Sequence, residues 1–203
     1  VTVAVDAPTE QASARERLLA GLAASIKERG YRDTKIADIV SHARTSRRTF
    51  YEVFETKDDC LFALLHERNK RTVANITAAI DAATTWDAQV RAGVTAWIDS
   101  LAVDPEIAIS WVREFTALGA RAAKAQRASM RTFTTLITTL TSTPQMRRAG
   151  VEPASQARAA ILLGGLRELA VAALEEGEDI HAITDEAVDA ALVLLGPRTG
   201  PDR

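Results

Sequence analysis

Cysteine is almost missing from this 203-residue chain, and the single Cys60 excludes an internal disulfide framework. It sits among Leu61, Leu64 and Leu65, which reads as a packed thiol. Glycine and proline are sparse at ten and six, aromatics make up only 5%, and no segment alternates apolar with polar residues as a half-buried strand would. Strands are therefore not expected. No apolar run approaches the roughly 18 residues that a membrane span needs. The N-terminus shows no signal-peptide pattern, so a reducing cytoplasm is the expected compartment.

Histidine is also scarce. His42, His66 and His181 are far apart and lack metal-ligand spacing. There is no Gly-rich phosphate loop and no serine in a nucleophile-elbow setting. These absences argue against an enzyme, and no metal or cofactor is expected.

What remains is a helix-forming composition, with 47% hydrophobic and 26% charged residues. The net charge of −2 hides a strong asymmetry. Residues 27–51 hold seven Lys/Arg against three acids, whereas residues 149–203 hold four Arg against ten acids. A basic head on an acidic body is compatible with nucleic-acid binding, because phosphates respond to the local field.

Helical periodicity and punctuation predict about nine helices. The first covers about 13–29, with Leu18, Leu19, Leu22 and Ile26 on one face and Gly30 as its stop. Thr34 is the expected N-cap of the second, Ala43-Arg44-Thr45 the turn, and Ser46 the cap of a third helix ending near Phe54. Lys57-Asp58-Asp59 opens a long fourth helix, its carboxylates at the positive end of the dipole. Further helices are expected at 86–102, 105–115, 118–142, from Glu152-Pro153 to 176, and at 184–195.

With 100° per residue and Phe50 set inward, Ser46, Val53 and Phe54 share the buried side of the third helix, while Arg48, Tyr51 and Glu52 face outward. Arg47 and Thr49 lie on the flanks. A short basic helix braced by another suits a DNA major groove. Arg48, then Arg47, are the candidates for base readout. Tyr51, Thr49, Thr34 and Lys57 suit backbone phosphates, with Lys35, Arg44 and Ser46 beside them.

This stretch resembles the DNA-binding head of the TetR family of bacterial transcriptional regulators. Thr34, Asp38, Ile39, Ala43, Ser46, Thr49, Phe50, Tyr51, Phe54 and Lys57 stand in the positions of that family's pattern. Arg44 replaces a usual glycine, Thr45 a valine and Val53 a frequent histidine. The resemblance spans roughly residues 13–60. It implies an all-α fold: a flexible arm at 1–12, a three-helix helix-turn-helix DNA-binding domain at 13–57, and a helical ligand-binding and dimerisation domain at 58–203. It further implies a cytoplasmic bacterial regulator, by default a repressor, that binds a double-stranded DNA operator and is released by a small-molecule effector.

The body offers an apolar aromatic lining for that effector: Trp97, Trp111, Phe115, Met130 and Phe133, with Arg113 and Glu114 as polar anchors. Aromatics at helical spacing are also ordinary core residues. The last two helices are apolar around nearly the whole circumference, which fits a homodimer joined as a four-helix bundle through Ile161, Gly164, Gly165, Leu192 and Leu195. Two heads would then read a pseudo-palindromic site. The competing reading is a helical interaction protein with a degenerate head and no effector.

Overall fold

The computed structural model describes residues 10–197, and the architecture is all-α. Its helices are α1 (Glu10–Asp33), α2 (Ile36–His42), α3 (Arg47–Val53), α4 (Lys57–Asp81), α5 (Trp86–Ala102), α6 (Pro105–Arg113), α7 (Gly119–Thr141), α8 (Pro144–Arg148), α9 (Gln156–Glu175) and α10 (Thr184–Leu195). Two 3₁₀ turns occur at Phe115–Leu118 and Ile180–Ile183. The chain divides into two compact units between Arg68 and Asn69. The arm expected at 1–12 lies outside the described residues except for its last three positions, which already belong to α1.

In the first unit α1 supplies the inner wall. Leu18, Leu22 and Ile26 recur every four residues and are fully buried with Ile39 and Phe50. Each such burial contributes roughly 1.5–3 kcal/mol. Gly21 lets α2 approach closely, since a Cβ there would stand 2.5 Å from the Ile39 carbonyl oxygen. The helical path breaks at Gly30 (φ 74°, ψ 166°), and one more turn leads to Asp33.

The second unit is built around a core that includes Trp97, Ile98, Phe133, Leu162, Leu163, Leu166 and Val188. There α5 packs on α10, while α7 and α6 pack on α9. One helix was not expected. α8 is only five residues long, too short to display a period, and is fixed by the Thr143 hydroxyl accepting from the Met146 N–H. A boundary also moves. α9 begins at Gln156 behind its cap Ser155, not at Glu152-Pro153. The intervening chain is tied down by the buried Val151 and Ala154, whose N–H donates to Thr141 Oγ1 at 3.0 Å.

Candidate functional site

The presentation of α3 follows from its ends. Ser46 is extended (φ −102°, ψ 159°), and its Oγ accepts from the Thr49 N–H at 3.0 Å. Because Ser46 precedes the helical residues, the 100° rule does not apply to it. It is exposed, where the periodicity had placed it on the buried side. Phe50 and Phe54 are buried as expected, their ring centroids 5.9 Å apart, and Val53 is half-buried. Anchored in this way, α3 turns Arg47, Arg48 (side chain 89% exposed) and Tyr51 (58% exposed) to solvent. Thr49 is half-buried, and Lys35 and Arg44 are exposed.

The turn before α3 explains why a glycine is usual at position 44. The Thr45 N–H donates to the Val40 carbonyl and the Arg44 N–H to the Ser41 carbonyl, the paired bonds of a Schellman helix end. That geometry requires a left-handed residue, and Arg44 adopts it with φ 49°. A side chain there costs about 1 kcal/mol.

Two expected phosphate contacts are placed inward instead. Thr34 is buried, and its hydroxyl donates to the Gly30 carbonyl at 2.7 Å; the cap position of α2 falls to Lys35. The Lys57 ammonium donates to the Tyr31 and Thr34 carbonyls at 2.9 and 2.7 Å and lies 4.2 Å from the Tyr31 ring centroid. The Tyr31 hydroxyl in turn donates to Asp58. Burial, reinforced by the Asp58 carboxylate, pushes the Tyr31 phenol well above its ordinary range. These residues brace the break after Gly30. Tyr31 and Thr56, whose hydroxyl accepts from the Asp59 N–H at the start of α4, escaped sequence reading. The Tyr31–Lys57 contact spans 26 residues, and no local spacing signals it.

The second unit contains two cavities of ≈ 90 Å³ each. The first is walled by Ile76, Ile80, Val94, Leu140 and Leu162 among others, with Trp97, Phe133 and Leu163 on one side. The second shares those three residues and adds Trp111, Met130, Arg167 and several neutral polar groups. Four expected lining residues, Trp97, Trp111, Met130 and Phe133, thus border cavities. The other three border neither. Arg113 is turned to Glu175 and Glu168 on α9 at 2.8 and 2.9 Å, where the two carboxylates raise its pKa further. Glu114 accepts from the Ser110 hydroxyl, and Phe115 is buried against Trp111. Their period was that of a surface bridge and a core stack.

Residues 18–64 match the family profile described as bacterial regulatory proteins, tetR family. The match is confined to the head, α1 to the start of α4. Solved structures extend the likeness over nearly the whole length of the chain. The fatty acid degradation regulator FadR from Bacillus halodurans aligns with a TM-score of 0.79 at 18% identity, covering 93% of this chain and 97% of that one. FadR from Bacillus subtilis, in complex with stearoyl-CoA, aligns with a TM-score of 0.77 at 15% identity, covering 89% and 98%. A TetR-family transcriptional regulator from Streptomyces coelicolor gives 0.69 at 21% identity, covering 91% and 95%. At these identities the likeness concerns the fold. No curated protein matches the chain.

An apolar stripe runs along the last two helices of the chain. Ile161 (66% exposed), Gly165 and Leu169 follow one another at intervals of four along α9. Gly164 and Gly165 both open onto empty space. On α10 the exposed residue is Val193 (84%), with Leu192 half-buried. Leu195, expected on the same face, is buried and borders the first cavity. Leu169 and Val193 were missed, although an apolar circumference around both helices already signalled two covered sides. Among the described residues no helix is long and apolar enough to cross a membrane.

Proposed function

We propose that the chain is a TetR-family repressor that binds a pseudo-palindromic operator as a dimer and is released by a small apolar or amphipathic ligand. The observation that carries the DNA reading is α3 itself. Two guanidinium groups and a phenol stand exposed on a seven-residue helix whose other side is pinned by Phe50 and Phe54. In this reading Arg48 and Arg47 contact base edges, and Tyr51, Thr49, Ser46, Lys35 and Arg44 contact phosphates. Thr34 and Lys57 act by holding the scaffold.

One three-helix head makes few contacts, so two are needed for firm specific binding. The stripe of Ile161, Gly165, Leu169 and Val193 supports association through α9 and α10, with the glycines admitting close backbone approach. The cavities support an effector of largely hydrocarbon character. The stearoyl-CoA bound by the Bacillus subtilis FadR structure is an amphipath and favours the same class. Release requires only that the ligand bind more tightly to the arrangement that does not fit the operator. An electrophoretic shift on DNA flanking the gene, with and without candidate amphipaths, tests this reading. A shift that no ligand reverses would retain the DNA-binding half and remove the effector half.

A further inference from the structure

Arg167 on α9 is half-buried, borders the second cavity, and its buried Nε–H has no hydrogen-bond partner. An unpaired guanidinium N–H withdrawn from water is costly, because it forfeits hydration without regaining a bond. The wall around it offers Asn69, Thr72, Gln126 and Ser129, all neutral, and no carboxylate. Among the described residues, Arg167 is therefore the one formal charge on that wall. The first cavity differs in kind, since its wall carries no charged residue and is almost wholly aliphatic and aromatic. The two cavities share Trp97, Phe133 and Leu163, so these three side chains form a wall common to both.

We infer that the two cavities are one bipartite site for an amphipath with a hydrocarbon chain and an anionic carboxylate head, the chain in the first cavity and the head on Arg167. This deepens the effector reading above and rests on it. A guanidinium presents its N–H groups in a fork that matches a carboxylate, and pairing at a partly desolvated group is stronger than at the open surface. Asn69 and Ser129 are already oriented, the Asn69 Nδ2 donating to Ser129 Oγ at 2.9 Å, which leaves the serine hydroxyl proton for the head. Asn69 and Thr72 in the second cavity and Ile76 and Ile80 in the first all come from α4, the helix that begins at Lys57. Both ends of the ligand therefore touch one helix.

The test titrates the full chain with dodecanoate and with dodecan-1-ol, which differ in the head alone. The readout is tryptophan fluorescence, since Trp97 and Trp111, two of the three tryptophans, border the second cavity. The parent should bind the carboxylate about tenfold more tightly than the alcohol. Arg167→Gln should lose that preference while keeping the alcohol's affinity, and Arg167→Lys should keep part of it. Equal affinity of the parent for the two probes, no binding of either, or full carboxylate affinity in a folded Arg167→Gln would overturn the inference. The comparison on the parent needs no variant to fold. Operator release is scored separately: dodecanoate bound through Arg167 without release upholds the site and removes the effector reading. An operator complex that forms normally while neither probe binds removes the site alone.

Discussion

Arg48 donates from Nε to Glu52 Oε1 at 3.0 Å, one turn further along the outer face of α3. Both side chains are exposed, and a helical pair of this spacing is worth only about 0.3–0.5 kcal/mol. The contact therefore holds the guanidinium in place without committing it, and a base edge can displace the carboxylate at small cost. Arg48→Ala should weaken specific binding by about 1–3 kcal/mol, the worth of one bidentate base contact. Glu52→Gln should instead tighten binding to unrelated DNA by removing a negative charge from the phosphate-facing surface. Fluorescence anisotropy on operator and scrambled duplexes separates the two effects.

Arg44 places stability and DNA binding in opposition. Its φ of 49° suits glycine, so Arg44→Gly should raise the unfolding free energy by up to about 1 kcal/mol. The same change removes a cation beside α3 and should lower DNA affinity and flatten its salt dependence by about one counterion. Urea melts and a salt series on one preparation give both numbers. A variant that gains stability and keeps full affinity would show that Arg44 touches no phosphate.

Alkaline pH should destabilise the first unit. Burial among apolar side chains pushes the Cys60 thiol from an ordinary 9.0 to about 12, and its Sγ lies 3.9 Å from the Leu18 carbonyl oxygen. The Tyr31 phenol is raised as well. Both groups hold their protons in the folded chain after the unfolded chain has lost them. Stability is thus unaffected by Cys60 below its ordinary value, falls as pH rises above it, and levels off near the raised value. Each proton gives a slope of at most about 1.4 kcal/mol per pH unit. Urea midpoints from pH 8 to 11 should decline, and Cys60→Ala should reduce the slope. Iodoacetamide at neutral pH should label the folded chain slowly and the unfolded chain fast.

The apolar stripe on α9 gives a prediction about assembly. Ile161→Glu with Leu169→Lys should leave the fold intact, because both side chains are exposed in the single chain. If α9 and α10 join two copies, sedimentation should shift from dimer to monomer, and specific DNA affinity should fall by at least tenfold as paired heads are lost. A double variant that remains dimeric would place the interface elsewhere.

The head was more legible in the sequence than the body, for a physical reason. A helix-turn-helix is fixed by caps, a left-handed turn residue and apolar positions within about 45 residues, and Ser46, Arg44, Phe50 and Phe54 stand where those signals put them. The inward bonds of Thr34 and Lys57 gave no sign in the sequence, because a polar residue at a helix start looks alike whether it faces a phosphate or a carbonyl of its own chain. In the body, helical period reveals that Trp97 and Phe133 face inward but not whether they meet a cavity or a neighbour. Phe115 resolved to a stack on Trp111, and Arg113 to a bridge onto α9. Arg167 carried no signal in the sequence, since a buried Nε–H without a partner shows only in three dimensions.

In the proposed function α3 reads DNA in two symmetric copies. Selection of bound sequences from a random duplex pool, by the parent chain and by Arg48→Ala, distinguishes this from every alternative. The parent should enrich one pseudo-palindrome with half-sites a whole number of helical turns apart, with affinity falling steeply with salt, and Arg48→Ala should lose the preference at matching positions in both halves. Enrichment of no palindrome, or the same palindrome with equal strength from Arg48→Ala, would contradict it.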